Sequence, residues 1–177
     1  MVRKKKSISI VKDPNGNNIV MINAALFKGK SKVDWDEVER YVRKYVYEFY
    51  KVVESKDIIY IGKDFPDEYA HSQYTIRLVG ANAKAKANAA SGVPEMIKSA
   101  NKVKHVPNKK KIHKKDAKYG WYYYDTRFAV PIYTIEGEVD RYKVFHAELL
   151  VRHAYDGKKY LYDIINVKKD KDSNIFV

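Results

Sequence analysis

Two side chains suited to acid–base chemistry, His146 and Glu148, stand two positions apart in a strand-like run near the end of the chain. Side chains two apart in a β-strand share one face, so this pair is adjacent whatever the strand pairing. An imidazole and a carboxylate can supply the acid and the base of a metal-independent RNA cleavage. The same predicted face carries cations for the phosphate and rings for unpaired bases, namely Arg127, Arg152, Tyr123 and Tyr162.

This polar face also has a plainer explanation, because the solvent side of an antiparallel sheet is normally polar. The pair His146 and Glu148 does not depend on the strand register, whereas the positions of Arg127 and Arg152 do. Two interpretations therefore stay open: a cleavage site, or surface residues without a catalytic role.

Positive charge is densest between Lys98 and Lys118, where nine lysines and two histidines stand against a single acid, Asp116. A charge run is usually a solvated surface, but this one is also suited to contact with phosphates. The sequence predicts a loop or a frayed helix end here, with His113 as a further catalytic candidate. The predicted nucleic-acid ligands are Lys104, Lys109, Lys110, Lys111, Lys114, Lys115 and Lys118.

Composition limits the classes of function that fit. A net charge of +13 favours a polyanionic partner, and RNA in particular. The chain has no cysteine, its histidines are not clustered and its glycines form no phosphate-binding loop, so no metal, cofactor or nucleoside-triphosphate chemistry is expected. No apolar run has the length of a membrane span, and no membrane partner is expected. Four other basic residues are interpreted as solvent-facing: Lys84 and Lys86 on a helix, and His105 and His153.

The first two thirds of the chain are patterned mainly as helices. An Asn-Gly pair at 15–16, between β-rich runs, indicates an N-terminal hairpin. Asp34 then opens an amphipathic helix that is predicted to run to about Ser55. An alanine-rich helix over 81–90 and a short helix from Pro94 follow.

The last third changes to strand periodicity, with runs at 120–133, 141–153 and 159–167 that are joined by short turns. Alternation places Phe145 and Leu149 on the packed face, but Asp163 falls on that face as well. The pattern predicts an α+β fold, in which an N-terminal hairpin and helices pack on one face of a C-terminal antiparallel meander. The predicted division is an N-terminal annex (residues 1–62), a basic nuclease-like domain (63–170) and a loose tail (171–177).

Five blocks of sequence carry a further signal: 64–69 with Ser72, 84–88, 108–110 followed by His113, 120–128 and 160–169. Over these blocks the chain resembles the C-terminal domain of MuF-type polyvalent proteins of phages and mobile elements in Firmicutes. The resemblance implies a fold near the barnase–RelE-like toxin nucleases, a toxin-type RNase activity and an immunity protein as partner. It also implies that His113, Arg127 and Tyr162 belong to the site.

Two functional hypotheses follow. The first is a metal-independent endoribonuclease acting on single-stranded or transfer RNA, with His146 or His113 as acid or base and Glu148 as the partner base. The second is a non-catalytic nucleic-acid-binding or phage accessory protein, which includes an inhibitor of a host defence complex. A DNA-packing protein of a virion is a third alternative. The expected location is the bacterial cytoplasm, either of a target cell or of a cell that carries the phage.

Overall fold

The structure, a computed structural model, describes residues 6–29, 32–108 and 117–176. Its first element is the hairpin that the Asn-Gly pair predicts, in which β1 (Ile8–Lys12) runs antiparallel to β2 (Asn18–Ile22). Gly16 supplies the left-handed φ of +81° at the turn, a conformation that glycine adopts without a steric penalty.

Helix α1 (Trp35–Val42) begins where the sequence predicts, because the Asp34 carboxylate accepts hydrogen bonds from two backbone N–H groups of the first turn. The prediction that this helix continues to about residue 55 is wrong. After a 3₁₀ turn the chain passes Tyr47, which has a φ of 74°, and enters β3 (Phe49–Lys51), antiparallel to β4 (Ile58–Tyr60). Aromatic and β-branched residues fill this stretch, and they favour a strand once a partner strand is present.

Four short helices follow, α2 (Phe65–His71), α3 (Gln73–Ile76), α4 (Gly80–Ala89) and α5 (Val93–Ser99). The last two confirm the alanine-rich helix and the helix at Pro94. The lysine-rich stretch starts in the last turn of α5 and continues as a strand, β5 (Asn101–Val106), so the prediction of a loop or helix end is wrong for the strand. Within the described ranges, no helix is long and apolar enough to cross a membrane.

Three long strands complete the chain and pair as the predicted antiparallel meander: β6 (Trp121–Tyr133), β7 (Val139–His153) and β8 (Lys159–Phe176). The prediction of a loose tail after residue 170 is wrong. Strand β8 continues to Phe176, and Ile175 pairs with Tyr142 on β7.

All of these strands belong to one curled eight-stranded sheet, in the order β1-β2-β6-β7-β8-β4-β3 with β5 beside β6. The pairings of β2 with β6 and of β4 with β8 are parallel. The predicted boundary after residue 62 does not coincide with a break in packing, because strands before it pair with strands after it and both parts share one core.

The two faces of the sheet differ in what covers them. The inner face packs on the helices, and Phe145, Ala147, Leu149 and Val151 on β7 are at most 1% exposed, which confirms the predicted alternation. On the opposite, outer face a smaller apolar cluster around Tyr142 covers one end of the sheet.

Asp163 and Lys86 form a fully buried ion pair between β8 and α4. The Lys86 Nζ lies 2.7 Å from Asp163 Oδ1 and 2.6 Å from Thr75 Oγ1. Ser72 Oγ donates to Asp163 Oδ2 at 2.6 Å, and the backbone N–H of Ile164 donates to Oδ1 at 2.8 Å. The interpretation of Lys86 as the wet side of its helix is therefore wrong, and the inward position of Asp163 is explained.

Burial opposes charge on both members of this pair. It lowers the pKa of Lys86 and raises the pKa of Asp163, while their mutual attraction works in the opposite direction. The described hydrogen bonds use the Asp163 oxygens and two of the three ammonium hydrogens, so the pair is a structural unit of the core.

Candidate active site

The register of β6 and β7 places four polar residues together on the predicted outer face. Arg127 is directly opposite His146, and Asp125 is directly opposite Glu148. These four residues are called the outer polar group. His146 Nε2 lies 3.7 Å from Asp125 Oδ1, and Asn166 Nδ2 donates to Glu148 Oε1 at 2.8 Å.

Arg127 is held by two carboxylates. Its Nε donates to Asp170 Oδ2 at 2.9 Å, and its Nη1 donates to Asp13. Burial works against the guanidinium charge, but the two acids outweigh it and raise the pKa of Arg127. A phosphate would have to displace these acids, so the arrangement favours a link between the N-terminal hairpin and β8 over phosphate binding.

The other predicted catalytic residues lie elsewhere. Arg152 packs over the ring of Tyr160 and lines an open groove of about 560 Å³. Tyr162 and Tyr123 line a separate pocket of about 380 Å³, while His146 and Arg127 border a cleft of only about 60 Å³. The structure thus distributes the predicted residues over three places on the outer face.

Two of the predicted lysine ligands fall in the described ranges. Lys104 on β5 is directly opposite Tyr123, and Lys118 Nζ lies 5.4 Å from the centroid of the Tyr119 ring. The other candidates lie outside the described residues: His113, Lys109, Lys110, Lys111, Lys114 and Lys115.

A different set of side chains that can exchange protons or carry positive charge surrounds Tyr122, close to where β6 and β8 begin. Tyr122 is directly opposite His105 on β5, and His153 at the end of β7 is opposite Lys159 on β8. The centroid of the Tyr122 ring lies 4.8 Å from that of His105 and 5.7 Å from that of His153. Lys159 Nζ lies 4.2 Å from the same centroid. We call His105, His153 and Lys159 the histidine cluster.

Both imidazoles are oriented through the same ring atom. His105 Nε2 lies 2.8 Å from the carbonyl oxygen of Tyr119, and His153 Nε2 lies 3.1 Å from that of Gly157. A carbonyl oxygen can only accept, so each Nε2 carries the hydrogen and the neutral ring has its lone pair on Nδ1. Neither Nδ1 has a hydrogen-bond partner among the described residues. Each ring therefore keeps one atom that can exchange a proton.

Gly120 makes the approach of His105 possible. It has a φ of +98°, and a Cβ there would lie 2.7 Å from both His105 Nε2 and the carbonyl oxygen of Val106. Any side chain at this position would displace the imidazole or the end of β5.

The cation of the cluster is anchored by one acid. Lys159 Nζ lies 2.8 Å from Asp57 Oδ1, and the Tyr124 hydroxyl donates to Asp57 Oδ2 at 2.6 Å. Burial alone would raise the pKa of Asp57, but hydrogen bonds from Lys159, Tyr124 and Ser55 outweigh it and hold the pKa below its usual value. An ammonium has three N–H donors, so a single bond to Asp57 leaves donors for a phosphate oxygen.

Together these side chains can perform general acid–base chemistry beside a cation. The sequence interpretation of both histidines as surface residues fits the exposed His105 better than the half-buried His153, and it misses that both rings contact Tyr122. The Asp-Gly turn at 156–157 could have indicated that His153 and Lys159 pair across a hairpin. His105 joins them only through β5, which the sequence analysis does not predict.

One group of residues has the donor atoms of a metal site. Glu39, Asp67 and His71 offer atoms within 4.8 Å of one another, between α1 and α2. His71 Nε2 also lies 3.1 Å from Asp36 Oδ1, so a contact between the two helices is enough to explain the grouping.

The chain was compared with protein-family models, with curated proteins and with solved structures, and none of the three comparisons gives a match.

Proposed function

We propose that the protein is a metal-independent endoribonuclease and that the histidine cluster performs the cleavage. The observation that carries this proposal is the pair of imidazoles on either side of Tyr122, each held through Nε2 by a backbone carbonyl. Each keeps Nδ1 for proton transfer, and Lys159 supplies a positive charge over the Tyr122 ring between them.

The reaction needs one imidazole as base and the other, protonated, as acid. The base removes the proton of a ribose 2′-hydroxyl, and the 2′-oxygen attacks the adjacent phosphorus. The bond from phosphorus to the 5′-oxygen breaks, and the acid protonates that oxygen as it leaves. The products are a 2′,3′-cyclic phosphate and a 5′-hydroxyl. Lys159 stabilises the extra negative charge on the non-bridging oxygens.

Charge and resemblance support RNA as the substrate. The chain has a net charge of +13, and Lys104 and Lys118 lie near the cluster in sequence and structure. The resemblance to MuF-type polyvalent proteins favours a toxin-type RNase of the barnase–RelE-like kind, counteracted in its host by an immunity protein. The α+β architecture, with helices before an antiparallel meander, is compatible with that assignment.

The direct test is to incubate the purified protein with a defined RNA in the presence of EDTA. We expect cleavage, with every 5′ fragment ending in a 2′,3′-cyclic phosphate and no cleavage of the DNA version of the same sequence. A His105→Ala/His153→Ala double variant, purified in the same way, controls for contaminating nucleases. RNA that is bound but stays intact would contradict the proposal and favour the non-catalytic alternative, a nucleic-acid-binding or phage accessory protein.

A further inference from the structure

A row of aromatic and cationic side chains crosses the outer face of the sheet. Direct register neighbours connect Trp121 on β6, Arg152 on β7, Tyr160 on β8, Tyr60 on β4 and Phe49 on β3. Directly paired residues share one face of a sheet, so this is one continuous line over five strands. We call it the aromatic row.

The side chains of the aromatic row contact one another. The rings of Phe49 and Tyr60 are 5.6 Å apart between centroids, and those of Tyr60 and Tyr160 are 5.9 Å apart. The Arg152 guanidinium lies 4.4 Å from the Tyr160 centroid. Phe49 is 61% exposed, so its ring is accessible to a ligand.

A pocket of about 380 Å³ adjoins the Trp121 end of the aromatic row. Trp121 and Tyr162 form two of its walls, with ring centroids 5.2 Å apart and planes at 79°. Glu68 also lines the pocket, and burial together with a hydrogen bond to Glu68 raises the pKa of Tyr162. The pocket is large enough for one base, and its polar groups can bond to the edge of that base.

We propose that the aromatic row and this pocket bind the unpaired bases of single-stranded RNA. This inference rests on the proposed function only in taking RNA as the ligand. Every base has a π-face, so rings can stack on a single strand without regard to sequence, whereas a duplex hides those faces. With strands about 4.8 Å apart, the row spans about 19 Å, enough for about four nucleotides.

The groove along the aromatic row carries charges of both signs. Arg152 and Lys158 both lie over its rings, the latter with Nζ 4.9 Å from the Tyr60 centroid. Three acids also line the groove: Glu48, Asp64 and Asp156. The Tyr160 hydroxyl donates to Asp156 Oδ2 at 2.6 Å, and Asp64 Oδ2 lies 3.6 Å from Arg152 Nη2. With Lys63, the cations of the groove equal its acids in number, so the net charge of +13 of the whole chain is what favours a polyanion.

The aromatic row and the histidine cluster lie near the same end of β6. Trp121 and Tyr122 are consecutive on β6, so the pocket and the cluster lie on opposite faces at the same end of that strand. An RNA strand that passes around this end of β6 can occupy both the pocket and the histidine cluster. The aromatic row then holds the nucleotides on one side of the scissile bond. The substrate class is accordingly an unpaired segment several nucleotides long.

The test uses 2′-O-methyl RNA, which lacks the attacking hydroxyl and so reports binding alone. Affinities are measured by fluorescence anisotropy for oligouridylates of 2, 4, 8 and 12 nucleotides and for a 12-base-pair duplex. We expect affinity to rise with length for single strands, and the Tyr60→Ala/Tyr160→Ala variant to bind the 12-mer about 30-fold more weakly. The dinucleotide should bind both proteins equally.

Two controls separate stacking from loss of structure. Tyr160→Phe keeps the ring and should bind as the wild type does. Phe176→Ala removes an exposed ring at the far end of β8, 73% exposed, and should also leave binding unchanged. Equal binding of the duplex and the single strand, or an unchanged affinity in the double variant, would overturn the inference even if RNA is cleaved. Loss of affinity in the double variant without any cleavage of ordinary RNA would uphold the inference and refute the nuclease.

Discussion

The outer polar group and the histidine cluster contain the same kinds of side chain but differ in how these are held. In the outer polar group, Arg127 sits between two carboxylates and His146 lies beside Asp125. In the histidine cluster, backbone carbonyls hold the two imidazoles, and the only acid on Lys159 among the described residues is Asp57. A charge matched by opposite charges contributes mainly to structure. An imidazole oriented through Nε2 by a carbonyl keeps Nδ1 for proton transfer.

The largest effect that this comparison predicts is on cleavage. His105→Ala and His153→Ala should each lower the cleavage rate by about 10²–10⁴-fold, because each removes one proton-transfer group. His146→Ala and Glu148→Gln should stay within about threefold of the wild type. Initial rates on one fluorogenic RNA in EDTA measure all four variants.

The reverse ranking, with His146 and Glu148 indispensable, would move the active site to the outer polar group. Thermal melts of the four variants separate a catalytic loss from unfolding. His105 is exposed at the end of β5, so we expect its replacement to leave the melting temperature nearly unchanged.

The buried pair is the extreme case of charges that serve structure. Lys86→Met leaves Asp163 without its partner in a site where both side chains are 0% exposed, and it should cost about 3–5 kcal/mol of unfolding free energy. The double variant Lys86→Met/Asp163→Leu removes both charges and should recover most of that loss. Urea denaturation measures all three proteins, and a double variant as unstable as the single one would show that the pair itself is stabilising.

Most of the fold follows from local signals in the sequence. The Asn-Gly hairpin, the Asp34 cap, the alanine-rich helix and the three-stranded meander are all confirmed, because each depends on residues close together in the chain. The helix predicted to residue 55 fails because β3 gains a partner in β4, and pairing of that kind overrides a helical period.

The sites were harder to predict because they depend on pairings distant in sequence. Alternation correctly gives the outer face of β6 and β7, yet nothing local indicates that Asp13 and Asp170 neutralise Arg127 from 114 and 43 residues away. The histidine cluster requires β5 to lie beside β6, and the aromatic row requires the parallel pairing of β4 with β8. Such contacts are fixed by the packing of the whole sheet, which a single sequence does not reveal.

Arg127 and Lys159 provide a matched pair of cations for a smaller effect. Arg127→Gln should lower the unfolding free energy by about 1 kcal/mol, since it breaks a partly exposed network, and should leave cleavage unchanged. Lys159→Gln should lower the cleavage rate by about 100-fold, because a donor to the transition state is lost, with a smaller effect on stability. The cleavage rate and the unfolding free energy are measured for both variants and compared with the wild type. If both variants lose cleavage and stability in the same proportion, the distinction between structural and functional cations fails.

The smallest effect concerns the acid that anchors the histidine cluster. Because the pKa of Asp57 in the folded state lies below the usual 3.8, its ionised form stabilises the fold above that pH, and this contribution is lost as the pH falls through the folded pKa. Asp57→Asn should therefore have a lower urea midpoint than the wild type at pH 7, and the gap should narrow toward pH 3. Ser55→Ala removes only one of the three side-chain hydrogen bonds to Asp57. Its urea midpoint should therefore differ less from that of the wild type, and the difference should change less with pH. A gap that is constant from pH 7 to pH 3 would mean that Asp57 contributes through packing, and the Lys159 ammonium would then be held by shape more than by charge.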